Sequence, residues 1–168
     1  IGDAHLGLRL LEEPNLAKTW GLTKQDTAFA IGRYQAPDPR TDLTLVVRNF
    51  AQAAIDVSDG LVLDVEKLAQ VSHVNAVIEA QAVPLSGAAR KAVKHDPKLL
   101  ETLIAAGDDY EIVAAVPAPS GKAFEAEARA KGVAATPIGR IEDGQGEVCV
   151  EGRGGKPLKL PRKGFSHF

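Results

Sequence analysis

The sequence predicts an α+β domain, with a mixed β-sheet flanked by helices. Segments of helical and strand periodicity intermix without the strict strand-helix-strand repeat of a doubly wound parallel sheet, and residues 53–69 read as strand, turn and helix in succession. A chain of 168 residues, 45% apolar and 25% charged, is the size of one domain, because cores usually divide only beyond roughly 250 residues.

In chain order, Asp3 is placed to cap a helix running to Glu13, with Ala4, Leu8 and Leu11 along one face and Pro14 as its stop. Residues 15–34 have no decisive pattern. Pro37 and Pro39 make QAPDPR, residues 35–40, a stiff extended connector. Leu43, Val46 and Val47 set a helical pattern across 41–49, and residues 53–57 read as a short buried strand. Ser58, Asp59 and Gly60 then turn the chain, so that Ser58 or Asp59 caps a helix carrying Leu61, Val65, Leu68 and Ala69 on its apolar face. Alternation over 75–80 predicts a strand, Pro84 precedes a helix over 85–94, and another helix spans 97–105. An acidic turn at 107–109 leads into a strand over 110–116. A mainly polar helix over 120–131 and strands at 136–141 and 147–150 follow, and GRGGK, 152–156, reads as a hairpin turn.

Composition narrows the function classes. Twenty Lys and Arg against 22 Asp and Glu give a net charge of -2, which removes the electrostatic case for binding nucleic acid or an anionic membrane. The single cysteine, Cys149, excludes an internal disulfide framework and a Cys-cluster zinc site, and suits a reducing compartment such as the cytoplasm. No apolar run approaches the roughly 20 residues of a membrane span. The chain has no Met and starts at Ile1 inside a patterned segment, from which a piece of a longer chain is expected.

Three stretches carry candidate chemistry. In AAIDVSDGL, residues 53–61, Asp56 and Asp59 stand three apart across a strand end and helix start with Ser58 between them. Carboxylate oxygens of this kind suit Mg²⁺, while a hydroxyl and helix-start amides suit phosphate. The structural alternative is a capped turn. In GDDYE, residues 107–111, adjacent Asp108 and Asp109 point to opposite sides of an extended chain, so at most one faces a given ligand and the other is free to satisfy loop donors. In GFSHF, residues 164–168, Phe165 offers either a stacking face or a core contact. His5, His73, His95 and His167 lack metal-ligand spacing, and no phosphate-binding glycine loop, dinucleotide fingerprint or nucleophile elbow is found.

Seven blocks, in order and in register, carry a resemblance: GDAHLGL at 2–8, RYQAPDPR at 33–40, AAIDVSDGL at 53–61, VPLS at 83–86, GDDYEIV at 107–113, IGRI at 138–141 and GFSHF at 164–168. Together they resemble the C-terminal domain of the thiamine-monophosphate kinase family over essentially the whole chain, within the superfamily of aminoimidazole ribonucleotide synthetase. The resemblance implies the fold of that synthetase's C-terminal domain. It also implies an ATP-dependent phosphotransferase of thiamine diphosphate biosynthesis, which moves the γ-phosphoryl of ATP to thiamine phosphate with Mg²⁺. By matching positions, Asp56 and Asp59 would hold Mg²⁺, Ser58 would contact ATP, and Asp108 and Phe165 would contact thiamine phosphate, with no covalent catalytic residue. It implies too that residues 1–168 are one domain of a two-domain kinase, a homodimer when whole, whose N-terminal ATP- and Mg²⁺-binding domain is absent here, leaving this chain inactive alone. The alternatives are another ATP-dependent member of the superfamily, of the hydrogenase maturation or selenophosphate synthetase type, or a non-catalytic binding or assembly domain. One departure is visible: the family commonly has two glycines before its acidic pair, and here Ala106 precedes Gly107.

Overall fold

A computed structural model describes residues 1–160 and Gly164. Helices α1 (Asp3–Glu12), α2 (Leu16–Thr19) and α3 (Lys24–Gln35) come first. The connector follows, then α4 (Thr44–Phe50), β1 (Ala53–Val57), α5 (Leu61–Ser72), β2 (Val74–Glu79), α6 (Gly87–His95) and α7 (Leu99–Ala105). β3 (Glu111–Ala115), α8 (Gly121–Ala130), β4 (Gly139–Asp143) and β5 (Val148–Glu151) complete the order. The strands form two sheets. β1 and β3 pair antiparallel, and in the other sheet β2 lies between antiparallel β4 and parallel β5. The predicted α+β class holds, with the mixed sheet being β4-β2-β5.

Three apolar clusters hold these layers. The main one sits between the sheets, α5 and α7, where Val57, Leu61, Val62, Val65, Ile78 and Ile104 meet. A second joins α1, α3, α6 and α7 around Leu6, Leu10, Trp20 and Leu103. α7 serves both because Leu100 and Ile104 face one cluster while Leu99 and Leu103 face the other. A smaller third cluster packs α4 against α8 beneath Ile112, with Phe50 and Phe124 edge to face at 6.4 Å.

Several expectations are corrected. Asp3 is the first helical residue of α1 rather than its cap; Gly2 takes the N-cap in the left-handed region at φ 83°. The buried face of α1 is Ala4, Leu6, Gly7 and Leu10, while Leu11 is exposed, because Gly7 must pass α3 closely: a Cβ there would lie 2.1 Å from the Ala30 carbonyl oxygen. β1 is only half buried, since its two-stranded sheet leaves Ala54 and Asp56 exposed. β2 does not alternate: Ala76, Val77 and Ile78 are all buried because it is a central strand covered on both faces. The unassigned stretch 15–34 holds α2 and α3, the latter started by a Thr23–Asp26 capping box.

Candidate functional site

Two loops meet at one end of the β1–β3 pair. Residues 58–60 leave β1 for α5, and residues 106–110 leave α7 for β3. They are tied backbone to backbone, Asp108 N–H donating to the Ser58 carbonyl at 2.8 Å and Tyr110 N–H to the Val57 carbonyl at 2.9 Å. Gly107 permits this approach, because a Cβ there would sit 2.4 Å from the Ser58 carbonyl oxygen. Ala106 has φ -83° and ψ 149°, ordinary extended backbone, so its methyl is accommodated where a second glycine was expected.

Asp64 organises the first loop. Buried to 1% exposure, it accepts the amides of Ser58, Asp59 and Gly60 on Oδ2 at 3.1, 2.9 and 3.1 Å. Neither Ser58 nor Asp59 therefore caps α5; Gly60 is the N-cap, and Asp64 supplies the acceptor from within the first turn. Lys67 Nζ donates to Asp64 Oδ1 at 2.7 Å and also to Asp59. Those two hydrogen bonds, that to Asp59 first, hold the Lys67 ammonium above its ordinary range.

Asp109 organises the second loop. At 3% exposure its carboxylate accepts the Gly2 amide at 2.5 Å and the Ala4 amide at 3.4 Å, so the start of α1 is capped from a distant loop. Burial pushes the Asp109 carboxyl up despite those amides, and pushes up neighbouring Asp3, which accepts the Ser86 hydroxyl at 2.5 Å. From the connector side, Arg33 donates to the Asp109 carbonyl at 3.2 Å and to Glu111 at 3.1 Å. Arg40 grips both oxygens of Glu111, at 2.8 and 2.7 Å, and that pairing raises the guanidinium further. Gly164 closes the ring: a Cβ there would lie 2.5 Å from Leu63 Cβ and 2.8 Å from the Asp59 carbonyl oxygen.

Six of the seven sequence blocks thus contribute to one constellation. IGRI lies apart, its Ile141 and Arg140 pairing with β2 in the other sheet. Asp56 is exposed on β1, in register with Ile112. Ser58 and Asp59 are half-buried at the loop, and Asp108 is exposed at φ 67°. Phe165 lies outside the described residues.

Among the described residues there is no group of three or more His, Cys, Asp or Glu placed to hold a metal. The carboxylates offered here are that of Asp59 at the loop, with the Lys67 ammonium seated on it, and that of Asp56, exposed on β1. Carboxylate oxygens are the donor type that Mg²⁺ takes, and two of them would be a partial set that needs further ligands from outside these residues. Because Asp64 occupies the amides of 58–60, a phosphate here would be held by the Ser58 hydroxyl, the remaining α5 amides and the metal rather than by the turn backbone. Sequence reasoning missed Asp64, Lys67, Arg33, Arg40, Glu111 and Tyr110. Only Asp64 left a local signal, a carboxylate on the buried face of α5 between Val62 and Val65.

Known proteins are similar to this chain in sequence and fold. The family described as AIR synthase related protein, C-terminal domain, matches residues 22–151. A thiamine-monophosphate kinase of Caulobacter vibrioides is 36% identical over 95% of the chain and 44% of its own length. The crystal structure of thiamine-monophosphate kinase from Stenotrophomonas maltophilia K279a superposes with a TM-score of 0.80, at 36% identity, over 94% of this chain and 48% of that one. A structure described as AaThiL complexed with AMPPCP and TMP matches with a TM-score of 0.78, at 31% identity, over 100% of this chain and 48% of that one. The chain therefore spans about half the length of the relatives it matches. No described helix is long and apolar enough to cross a membrane.

Proposed function

The chain belongs to the family of AIR synthase related protein C-terminal domains, and on that premise we propose that it is the C-terminal domain of a thiamine-monophosphate kinase. The whole enzyme transfers the γ-phosphoryl of ATP to thiamine phosphate, yielding thiamine diphosphate and ADP, and works in the cytoplasm as a homodimer. The observation that carries this reading is convergence: six separated blocks meet around loops 57–60 and 106–111, and the relatives that share the chain along nearly its full length are kinases of this one substrate.

On this reading each residue has a physical task. Asp56 and Asp59 hold Mg²⁺, which when bound neutralises charge on the polyphosphate. Ser58 orients ATP through its hydroxyl. Asp108 meets the positively charged thiazolium with its exposed carboxylate, and Phe165 adds an aromatic face. Asp64 and Asp109 stay within the protein and fix the backbones on which those groups stand. None of the positions assigned here supplies an activated nucleophile with a partnered base, and on this reading transfer is direct, without a covalent phosphoenzyme.

The domain that supplies the rest of the Mg²⁺-ATP site is the other half of the kinase, and residues 1–168 alone turn over no substrate. Calorimetric titration of the whole protein tests the assignment. Asp108→Asn is expected to weaken thiamine phosphate binding at least about tenfold with ATP binding unchanged, and Ser58→Ala the reverse. Unchanged thiamine phosphate affinity in Asp108→Asn would favour another ATP-dependent member of the superfamily.

A further inference from the structure

Tyr110 is an anomaly that the kinase reading does not absorb. Its φ is 51°, in the left-handed region, two residues after Asp108 at φ 67°. Gly and Asn adopt such backbone readily, whereas a bulky aromatic residue there is an outlier that persists only where its surroundings impose it. The surroundings do impose it. Buried Asp109 pins the loop inward through Gly2 and Ala4, Arg33 holds the Asp109 carbonyl, and the amides of Asp108 and Tyr110 are committed to Ser58 and Val57. With Asp109 turned inward, the two flanking side chains are the ones left exposed, and Tyr110 keeps 37% of its surface in solvent. It belongs to none of the apolar clusters, and its hydroxyl meets no protein partner among the described residues.

A tyrosine held in backbone that disfavours its side chain, with over a third of its surface open to solvent and its hydroxyl unpartnered within the described residues, presents that open surface to something outside the fold. We propose that Tyr110 is a further substrate-contacting residue, presenting its ring two positions from Asp108 as an aromatic wall for the cationic ring of the phosphoryl acceptor. The pairing is chemically coherent: a carboxylate and a π-face both favour a delocalised cation, and the ring adds apolar contact that a second acid would not. This rests on the kinase reading for the identity of the cation.

The test separates strain from recognition, because the proposal demands effects of opposite sign. In the whole protein, Tyr110→Gly is expected to raise Tm by about 2–4 °C through relief of the left-handed backbone. The same variant, and Tyr110→Leu, should bind thiamine phosphate about five- to tenfold more weakly, with ATP affinity unchanged. Tyr110→Phe, which keeps the ring, should bind within about twofold of the parent. A neutral isostere, thiamine phosphate with its thiazolium replaced by thiophene, should lose little between parent and Tyr110→Leu. A lower Tm in Tyr110→Gly would make the ring structural, and unchanged thiamine phosphate binding in Tyr110→Leu would overturn the contact while leaving the kinase reading intact. A parent protein that binds ATP but no thiamine phosphate would overturn that reading and this inference with it.

Discussion

The Asp109 carboxylate accepts the Gly2 amide at 2.5 Å across 107 residues of sequence, so the loop entering β3 and the start of α1 are one structural unit. Asp108, its immediate neighbour, faces solvent. Two adjacent aspartates therefore sit in different surroundings, one buried and committed to the fold and one exposed, which on the proposed reading is the one that meets the ligand.

Substitution should separate them. Asp109→Ala leaves the Gly2 and Ala4 amides buried without an acceptor and is expected to cost about 2–4 kcal/mol in denaturant unfolding. Asp109→Asn should cost clearly less, because burial already raises this carboxyl and an amide oxygen can still accept from Gly2. Asp108→Ala should change stability by less than about 0.5 kcal/mol.

Asp64 carries the other loop. Asp64→Ala removes the acceptor of three amides together with a partner of Lys67, and about 3–5 kcal/mol of stability should go with it. Hydrogen exchange should show the amides of 58–60 losing protection before those of β2.

The connector is held through Glu111. Its two arginine partners are mostly shielded, with side chains 14% and 25% exposed for Arg33 and Arg40. Glu111→Ala should cost about 1–3 kcal/mol. Combining it with Arg40→Ala should cost at least about 1 kcal/mol less than the sum of the single changes, a double-mutant cycle that reads their coupling directly.

At the α3–α6 contact, Asp26 accepts from Lys91 Nζ at 2.6 Å and closes the Thr23 capping box, which together lower its carboxyl to about 2. Because its folded pKa lies below the unfolded value of 3.8, its stabilising contribution is complete above pH 4 and fades as pH falls through about 2. An unfolding series from pH 5 to pH 2 should show a shallower acid limb in Asp26→Asn than in the parent.

What was legible in the sequence follows physical range. β1 could be bounded at residues 53–57 because a short apolar run ending in a Ser-Asp-Gly turn is a local pattern. α1 was recognised but its buried face misassigned, because the face is set by Gly7 against the Ala30 carbonyl, a contact between helices. The division of Asp108 and Asp109 between outward and inward was expected from local alternation, which did not say which was which; only the family resemblance pointed to Asp108 as the outward one, since the inward role of Asp109 depends on the start of α1. Arg33, Arg40 and Glu111 fell inside recognised blocks, but their pairing was not legible, because the ion pairs cross more than 70 residues. Tyr110 was invisible for a different reason: its distinguishing feature is a dihedral angle, and side-chain chemistry alone does not announce it.

On the proposed reading this chain is half of a site that phosphorylates thiamine phosphate. The most direct measurement supplies the whole protein with γ-labelled ATP, Mg²⁺ and thiamine phosphate and follows the label. Labelled thiamine diphosphate is expected, with the rate falling at least about a hundredfold in Asp56→Asn and in Asp59→Asn. Label appearing only as inorganic phosphate, or on a different acceptor in preference to thiamine phosphate, would contradict it.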